Sequence, residues 1–253
     1  IYDIFSKKLT EVAPFTVDLL LPSGAENLNY VLYTDESPYK MQREWLDRLP
    51  FDIYSVNVHT GAKRLIGRSY RTAPKWSVNG KWAVMYDPIA QVLNKFDGAT
   101  GKVVNISDAI GYPMFMESYD KPAPAPAYGI AGWTADGNNV FLYDAYDWWK
   151  IDLTGERQPE CLTKGYGRKH GKSIRKMTSN IDKDVFQKDE KVIVSLWDKD
   201  TMDEGVYQLD MKGRLRKLME GNYVYTIHRF SDNHEYCVWN RQNVSEFRDL
   251  WWS

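Results

Sequence analysis

Residues 165–173, GYGRKHGKS, come nearest in this sequence to a phosphate-binding loop. Such a loop follows G-x-x-x-x-G-K-[ST], because a fixed number of backbone N–H groups must curl around the phosphates before Lys and Ser arrive. Gly171, Lys172 and Ser173 supply the end of the pattern. Gly167 lies one residue too near to supply its start, Gly165 one too far, and Tyr166 fills the required place. The preceding RQPECLT is also a poor candidate for the buried strand such a loop needs. Nucleotide binding is therefore set aside. Lys164, Arg168, Lys169, Lys172, Arg175 and Lys176 read instead as a solvated basic loop that pairs with acidic neighbours. No aromatic platform is interleaved in this run, which argues against nucleic acid as a partner.

A serine nucleophile is the second chemistry to test. The elbow G-x-S-x-G places Ser on a strained strand-to-helix turn, and its glycines remove side chains that would clash. GRSYR (67–71) and GKSIR (171–175) come close, but both put Arg where the second Gly is required. Ser69 and Ser173 are thus not expected to be catalytic. Among the histidines, His59 lies at a strand end, His170 in the basic loop, and His228 and His234 flank a turn at a spacing of six, which fits no helical metal pair. DKDTMDEG (198–205) offers Asp198, Asp200, Asp203 and Glu204 as oxygens. An EF-hand, however, needs Asp or Asn fifth and Gly sixth, where Met202 and Asp203 stand. A charged hairpin loop is the reading. Asp144 and Asp147 beside Trp148 suggest the paired carboxylates of a glycosidase. Aspartates also stand at the strand ends Asp87, Asp97, Asp152 and Asp210, where an Asx turn explains them better. No catalytic, cofactor-binding or metal-binding residue is assigned, and no cofactor is expected.

The elements that would position such residues are short strands. With 43% hydrophobic residues, 26% charged and a net charge of −1, the chain has no global attraction to nucleic acid or anionic membrane. No apolar run approaches the roughly 18 residues of a membrane span. The start IYDIFSKKL lacks Met and a signal-like stretch, as expected of a processed or excised piece. Cys161 and Cys237 are too few for a disulfide framework; buried free thiols are expected, with one disulfide as the alternative.

One unit recurs, an alternating strand and a turn ending in Gly: DIYSVNVHTG (52–61), VLNKFDGATG (92–101), DWWKIDLTG (147–155) and GVYQLDMKG (205–213). A second unit precedes several of them: WSVNGKWAVMYD (76–87), WTADGNNVFLYD (133–144) and FSDNHEYCVWN (230–240), with QKDEKVIVSLWD (187–198) as a degenerate copy. Asn79-Gly80 and Asp136-Gly137 are strong hairpin signals. The turn glycines at 61, 101, 155 and 213 are 40, 54 and 58 residues apart. Steps of that length match one four-stranded blade each, which predicts an all-β protein, a β-propeller of four-stranded antiparallel blades. A β-sandwich would not repeat a paired motif at blade length. FRDLWWS (247–253) starts one more inner strand, so about four and a half blades are expected and the propeller would be incomplete. Residues 1–253 are expected to form one partial propeller domain. Residues 1–50 are its least legible part, 34–52 a charged insertion read as a short helix or exposed loop, and 119–129 a Pro/Ala-rich linker between blades.

At YGIAGWTADGNNVFLYDAYDWWKIDLTG (128–155) and LTKGYGRKHGKSIR (162–175) the chain resembles the propeller region of prolyl oligopeptidase-like (S9, dipeptidyl peptidase type) serine peptidases, especially large exported forms of Bacteroidetes-type bacteria. The shared pattern is G-W-T, then Y-D-x-Y-D-x-W, L-T and G-Y-G-R-K. NVSEFRDLWWS (243–253) is similar to the S-x-E-x-x-D-L-W stretch of the same family, with Arg248 where Pro is common. The resemblance covers most of residues 50–253 and makes 165–173 a loop between blades. It implies a non-catalytic propeller that gates and positions short peptide substrates for an α/β-hydrolase domain C-terminal to this chain. That domain, with its Ser-Asp-His triad, is absent from these residues. A periplasmic or exported location is implied as well. The substrate-binding residues are unknown: Glu44 and Glu117, in or near inter-blade insertions, match the family's amino-terminus-binding acids at no position. The alternative is a stand-alone TolB-like propeller, acting as a protein- or ligand-binding scaffold.

Overall fold

Strands this short hold together only when their apolar faces are paired and covered. The computed structural model describes residues 1–14, 17, 19–22, 29–46, 48–177, 184–231 and 235–253. In it β1 (Tyr2–Asp3) and β2 (Lys8–Leu9) make a small hairpin. Next, β3 (Leu19–Leu21), β4 (Tyr30–Asp35), β5 (Phe51–Asn57) and β6 (Lys63–Tyr70) form an antiparallel sheet in chain order. A second sheet follows the same order through β7 (Lys75–Trp76), β8 (Trp82–Asp87), β9 (Val92–Asp97) and β10 (Val103–Asn105). The third is built from β11 (Ile130–Thr134), β12 (Asn139–Tyr143), β13 (Trp148–Asp152) and β14 (Glu160–Cys161). A single helical turn, α1 (Tyr166–Lys169), leads to β15 (Lys172–Lys176), and β16 (Val185–Phe186) comes next. The fourth sheet joins β15 to β17 (Lys191–Asp198), β18 (Glu204–Asp210) and β19 (Leu215–Gly221). The last contains β20 (Val224–Phe230), β21 (Cys237–Gln242) and β22 (Asp249–Trp252). The protein is all-β, and its repeating unit is the up-and-down, four-stranded antiparallel sheet of a propeller blade.

The turn chemistry read from the sequence is what bends each sheet between its third and fourth strands. Gly61, Gly101, Gly155 and Gly213 all adopt the left-handed conformation, with φ of +74°, +70°, +85° and +79°. Just before them Asn57, Asp97, Asp152 and Asp210 accept backbone N–H bonds from residues two positions on, as Asx turns do. Asp87 closes the preceding hairpin of its sheet in the same way, accepting from Ile89 and Ala90.

Contacts divide the chain into two compact units. One comprises residues 1–127 with Asp136–Asn138, the other 128–135 with 139–253, and the division falls at the end of the Pro/Ala-rich segment. In the first unit Leu32, Phe51, Ile53 and Tyr70 of the first sheet pack with Ala83, Met85 and Phe96 of the second. In the second unit Ala131, Phe141, Tyr143 and Trp148 of the third sheet pack with Ile174, Val192, Val194, Leu196, Tyr207 and Leu209 of the fourth.

The early and central segments add detail to the sequence reading. The opening residues already contain β3 and β4, because NYVLYTD pairs in register with β5 from Tyr30–Asn57 to Asp35–Asp52. The 34–52 insertion holds a short 3-10 helix over Ser37–Gln42, one of the two forms expected of it. The basic loop does not continue past Gly171: residues 172–176 are the first strand of the fourth sheet, and β16 leaves that sheet to lie parallel against β11. Gly132 permits this approach, since a Cβ there would come within 2.7 Å of the Asp184 carbonyl oxygen.

A pair of glycine substitutions separates backbone strain from steric exclusion. Gly171 has φ of +67° and open space around it, so Gly171→Ala should cost about 1 kcal/mol. Gly213 has a similar φ, but its Cβ would stand 1.8 Å from the Leu162 carbonyl oxygen. Gly213→Ala should cost at least about 2 kcal/mol more in urea unfolding. Equal losses would show that the Gly213 turn is free to move.

Candidate functional site

The residues that carry the resemblance converge on one hydrogen-bonded cluster in the second unit. β12 ends at Tyr143, and Asp144 turns the chain by accepting from the backbone N–H groups of Tyr146 and Asp147, both at 2.6 Å. Its other oxygen accepts from Trp149 Nε1 and Arg168 Nη2, each at 3.0 Å. Asp147 accepts from the Thr163 hydroxyl at 2.6 Å and from the amides of Gly167 and Arg168 at 2.9 and 3.0 Å. Thr163 in turn accepts from the Trp148 amide at 3.1 Å. Both carboxylates are fully withdrawn from water, at 0% and 1% exposure.

Local geometry explains the residue types. Gly165 starts the α1 turn at φ of +71°. Gly167 must lack a side chain, because a Cβ would meet the carbonyl oxygens of Tyr146 and Lys172 at 2.6 and 2.7 Å. Its bare amide can then reach Asp147. Trp148 is fully buried, edge-on to Tyr143 at 5.2 Å, and donates Nε1 to the Ile174 carbonyl at 3.1 Å. This bond ties the third sheet to the first strand of the fourth.

The basic residues are mostly consumed in the same structure. Arg175 lies over the rings of Tyr143 and Tyr128, with Cζ at 4.7 and 5.3 Å from their centroids. It donates to the carbonyls of Asp144 and Ile174 at 2.6 and 2.8 Å. Burial lowers its pKa, and the neighbouring Tyr143 and Asp144 act against that shift. Lys172 pairs with Glu220 at 2.5 Å and Lys176 with Asp184 at 2.8 Å. The expected pairing with acidic neighbours is present, but Arg175 is a packed residue rather than a solvated one. Sequence reading missed it because its partners, Tyr128 and Tyr143, are over thirty residues away.

The other described candidates stand apart from this cluster. Ser69 sits in β6 at φ of +57°, its amide bonded to Asp52 at 3.1 Å, and no helix follows it. Ser173 is buried inside β15, opposite Trp197. His59 and His228 are exposed; His228 Nε2 faces the amide of Asn240 at 2.5 Å. The His170 ring lies tilted against Tyr166, with centroids 4.3 Å apart, and His234 lies outside the described residues. In the 198–205 hairpin, Asp198 accepts from the amides of Asp200 and Thr201, while Glu204 turns inward to accept from Tyr225, and burial raises its pKa. The described residues hold no group of three metal-ligating side chains. Cys161 and Cys237 are both free and half-buried, less enclosed than expected. Glu44 and Glu117 are exposed on separate segments. Both oxygens of Asp144 and of Asp147 accept hydrogen bonds within the cluster, so this buried pair organises the local structure.

No family model matches the chain, and no curated protein does. Among solved structures it is similar to propeller-containing proteins. TolB from Acinetobacter baumannii is 13% identical with a TM-score of 0.42, over 88% of this chain and 51% of that one. A prolyl endopeptidase is 13% identical with a TM-score of 0.47, over 94% of this chain and 34% of that one. The β-propeller domain of the Trilobed protease from Pyrococcus furiosus is 11% identical with a TM-score of 0.32, over 94% and 81%. The chain thus spans about half of the TolB chain and a third of the prolyl endopeptidase. These likenesses concern fold alone. No helix among the described residues is long and apolar enough to cross a membrane.

Two predictions follow from the ion pairs. Asp144 is fully buried whereas the Arg168 side chain is 31% exposed. Asp144→Ala strands Trp149 Nε1 and two amides and should cost about 3 kcal/mol, against about 1 kcal/mol for Arg168→Ala, which can be compared by urea unfolding. The Lys172 ammonium holds the Glu220 carboxyl down to about 2, with help from Lys217 and against partial burial. A depressed carboxylate pKa stabilises the fold above its unfolded value and loses that contribution as pH falls towards 2. After solvent screening, the wild type should lose about 1 kcal/mol more than Glu220→Gln between pH 5 and pH 2.5.

Proposed function

We propose that this chain is the non-catalytic propeller segment of an S9-type serine peptidase, gating and positioning short peptides for a hydrolase domain C-terminal to it. The observation that carries this reading is the fate of the resembling motif. Asp144, Asp147, Trp149, Thr163, Gly167 and Arg168 belong to one hydrogen-bonded cluster, each engaged by another member. The stretch that is similar to the peptidase family is therefore its structural frame. Among the described residues neither Ser69 nor Ser173 has a base, an elbow or a following helix, which places the nucleophile elsewhere in the parent on this reading. Hydrolysis in that parent proceeds by Ser attack and an acyl-enzyme, with every catalytic group supplied by the partner domain. An exported or periplasmic setting goes with the same resemblance.

The test is to extend the reading frame beyond Ser253 and treat both the longer product and the 253-residue chain with a fluorophosphonate probe. The expected result is labelling of a serine in G-x-S-x-G downstream of Ser253 and none in the shorter chain. Labelling at Ser69 or Ser173 would overturn the reading. A stop codon within one or two further blades would do the same, and would leave the stand-alone TolB-like scaffold.

A further inference from the structure

The outward face of the fourth sheet carries a recess unrelated to the cluster above. It has a volume of about 260 Å³ and is lined by Lys191, Gln208, Asp210, Arg214, Leu215 and Arg216. Strand register puts Lys191, Gln208, Asp210 and Arg216 on one face, with Arg214 in the turn beside them and Leu215, opposite Leu209, packed towards the core. Lys191 lies across from Asp210, and Ile193 from Gln208, which is itself opposite Arg216. The alternate residues Val192, Val194 and Leu209 point the other way, into the core.

The charges in the recess are unbalanced in a specific manner. Asp210 is already saturated: one oxygen accepts from the amides of Lys212 and Arg214, and the other from Arg214 Nε at 2.6 Å. It therefore fixes Arg214 by its inner nitrogen and leaves the two terminal nitrogens of the guanidinium open. Lys191 and Arg216 form no ion pair among the described residues, and the Gln208 amide makes no side-chain hydrogen bond among them. Three cations and one neutralised carboxylate leave a net charge of +2 around a concavity whose lining also includes the Gln208 amide.

The geometry points to a binding site for a small multivalent anion, a polycarboxylate or phosphate compound, held by Arg214, Arg216 and Lys191 over Gln208. A planar guanidinium held by its inner edge presents its outer N–H pair for bidentate contact with either ligand class. The volume suits a compact ligand of citrate or pyrophosphate size. Because the cations are exposed, binding is weakened by salt.

The test is calorimetric titration of the full chain at low ionic strength, with citrate in one arm and pyrophosphate in the other. Saturable binding is expected in at least one arm, and the stronger arm identifies the class of anion. Lys191→Ala/Arg216→Ala should weaken it at least about tenfold, while the charge-matched Lys102→Ala/Arg157→Ala retains it. Circular dichroism and unfolding midpoints confirm that each variant is folded. Absence of saturable binding in both arms, or equal loss in the two double variants, would overturn the proposal.

Discussion

The Asp147 carboxylate is the constraint from which the second unit is organised. One side chain collects the Thr163 hydroxyl and the amides of Gly167 and Arg168, so it fixes where the chain leaves the third sheet and how it enters the fourth. A buried carboxylate is costly unless its acceptor sites are filled, and filling them with backbone amides forces one path on the connecting segment. Asp144 repeats the device three residues earlier and adds a charge partner in Arg168. The aromatic core then closes on this frame through Trp148, whose indole N–H reaches the first strand of the fourth sheet.

The economy of this arrangement bears on function. Two aspartates and an arginine that would attract a catalytic reading in isolation are joined in one hydrogen-bonded cluster. Lys172 does not wait for a phosphate; it holds Glu220. Ser173 lies within a strand with its side chain out of solvent.

Much of the fold was legible in the sequence because it is written in local chemistry. Asn57, Asp97, Asp152 and Asp210 with their following glycines announce tight turns through side-chain acceptors and positive φ, and both act within a few residues. Period-two alternation in β5, β8, β12 and β18 likewise needs no distant partner to be seen. The errors fell where a partner is remote. KSIRK reads as a basic loop until Tyr128 and Tyr143 are known to lie under Arg175. Val185–Phe186 is too short to show a period, and its pairing with β11 depends on a glycine fifty residues earlier. The site shows the same division: the sequence singled out Asp144, Asp147 and Trp148 and favoured turn closure over catalysis, but it could not show that the G-Y-G-R-K loop supplies the donors.

The most direct test of the central claim is peptide hydrolysis by the extended gene product, comparing the wild type with Ser69→Ala/Ser173→Ala. If these residues belong to a positioning module, kcat/KM on a short peptide stays within about twofold. A loss of about a thousandfold or more, with the variant still folded, would place the nucleophile inside this chain and contradict the account.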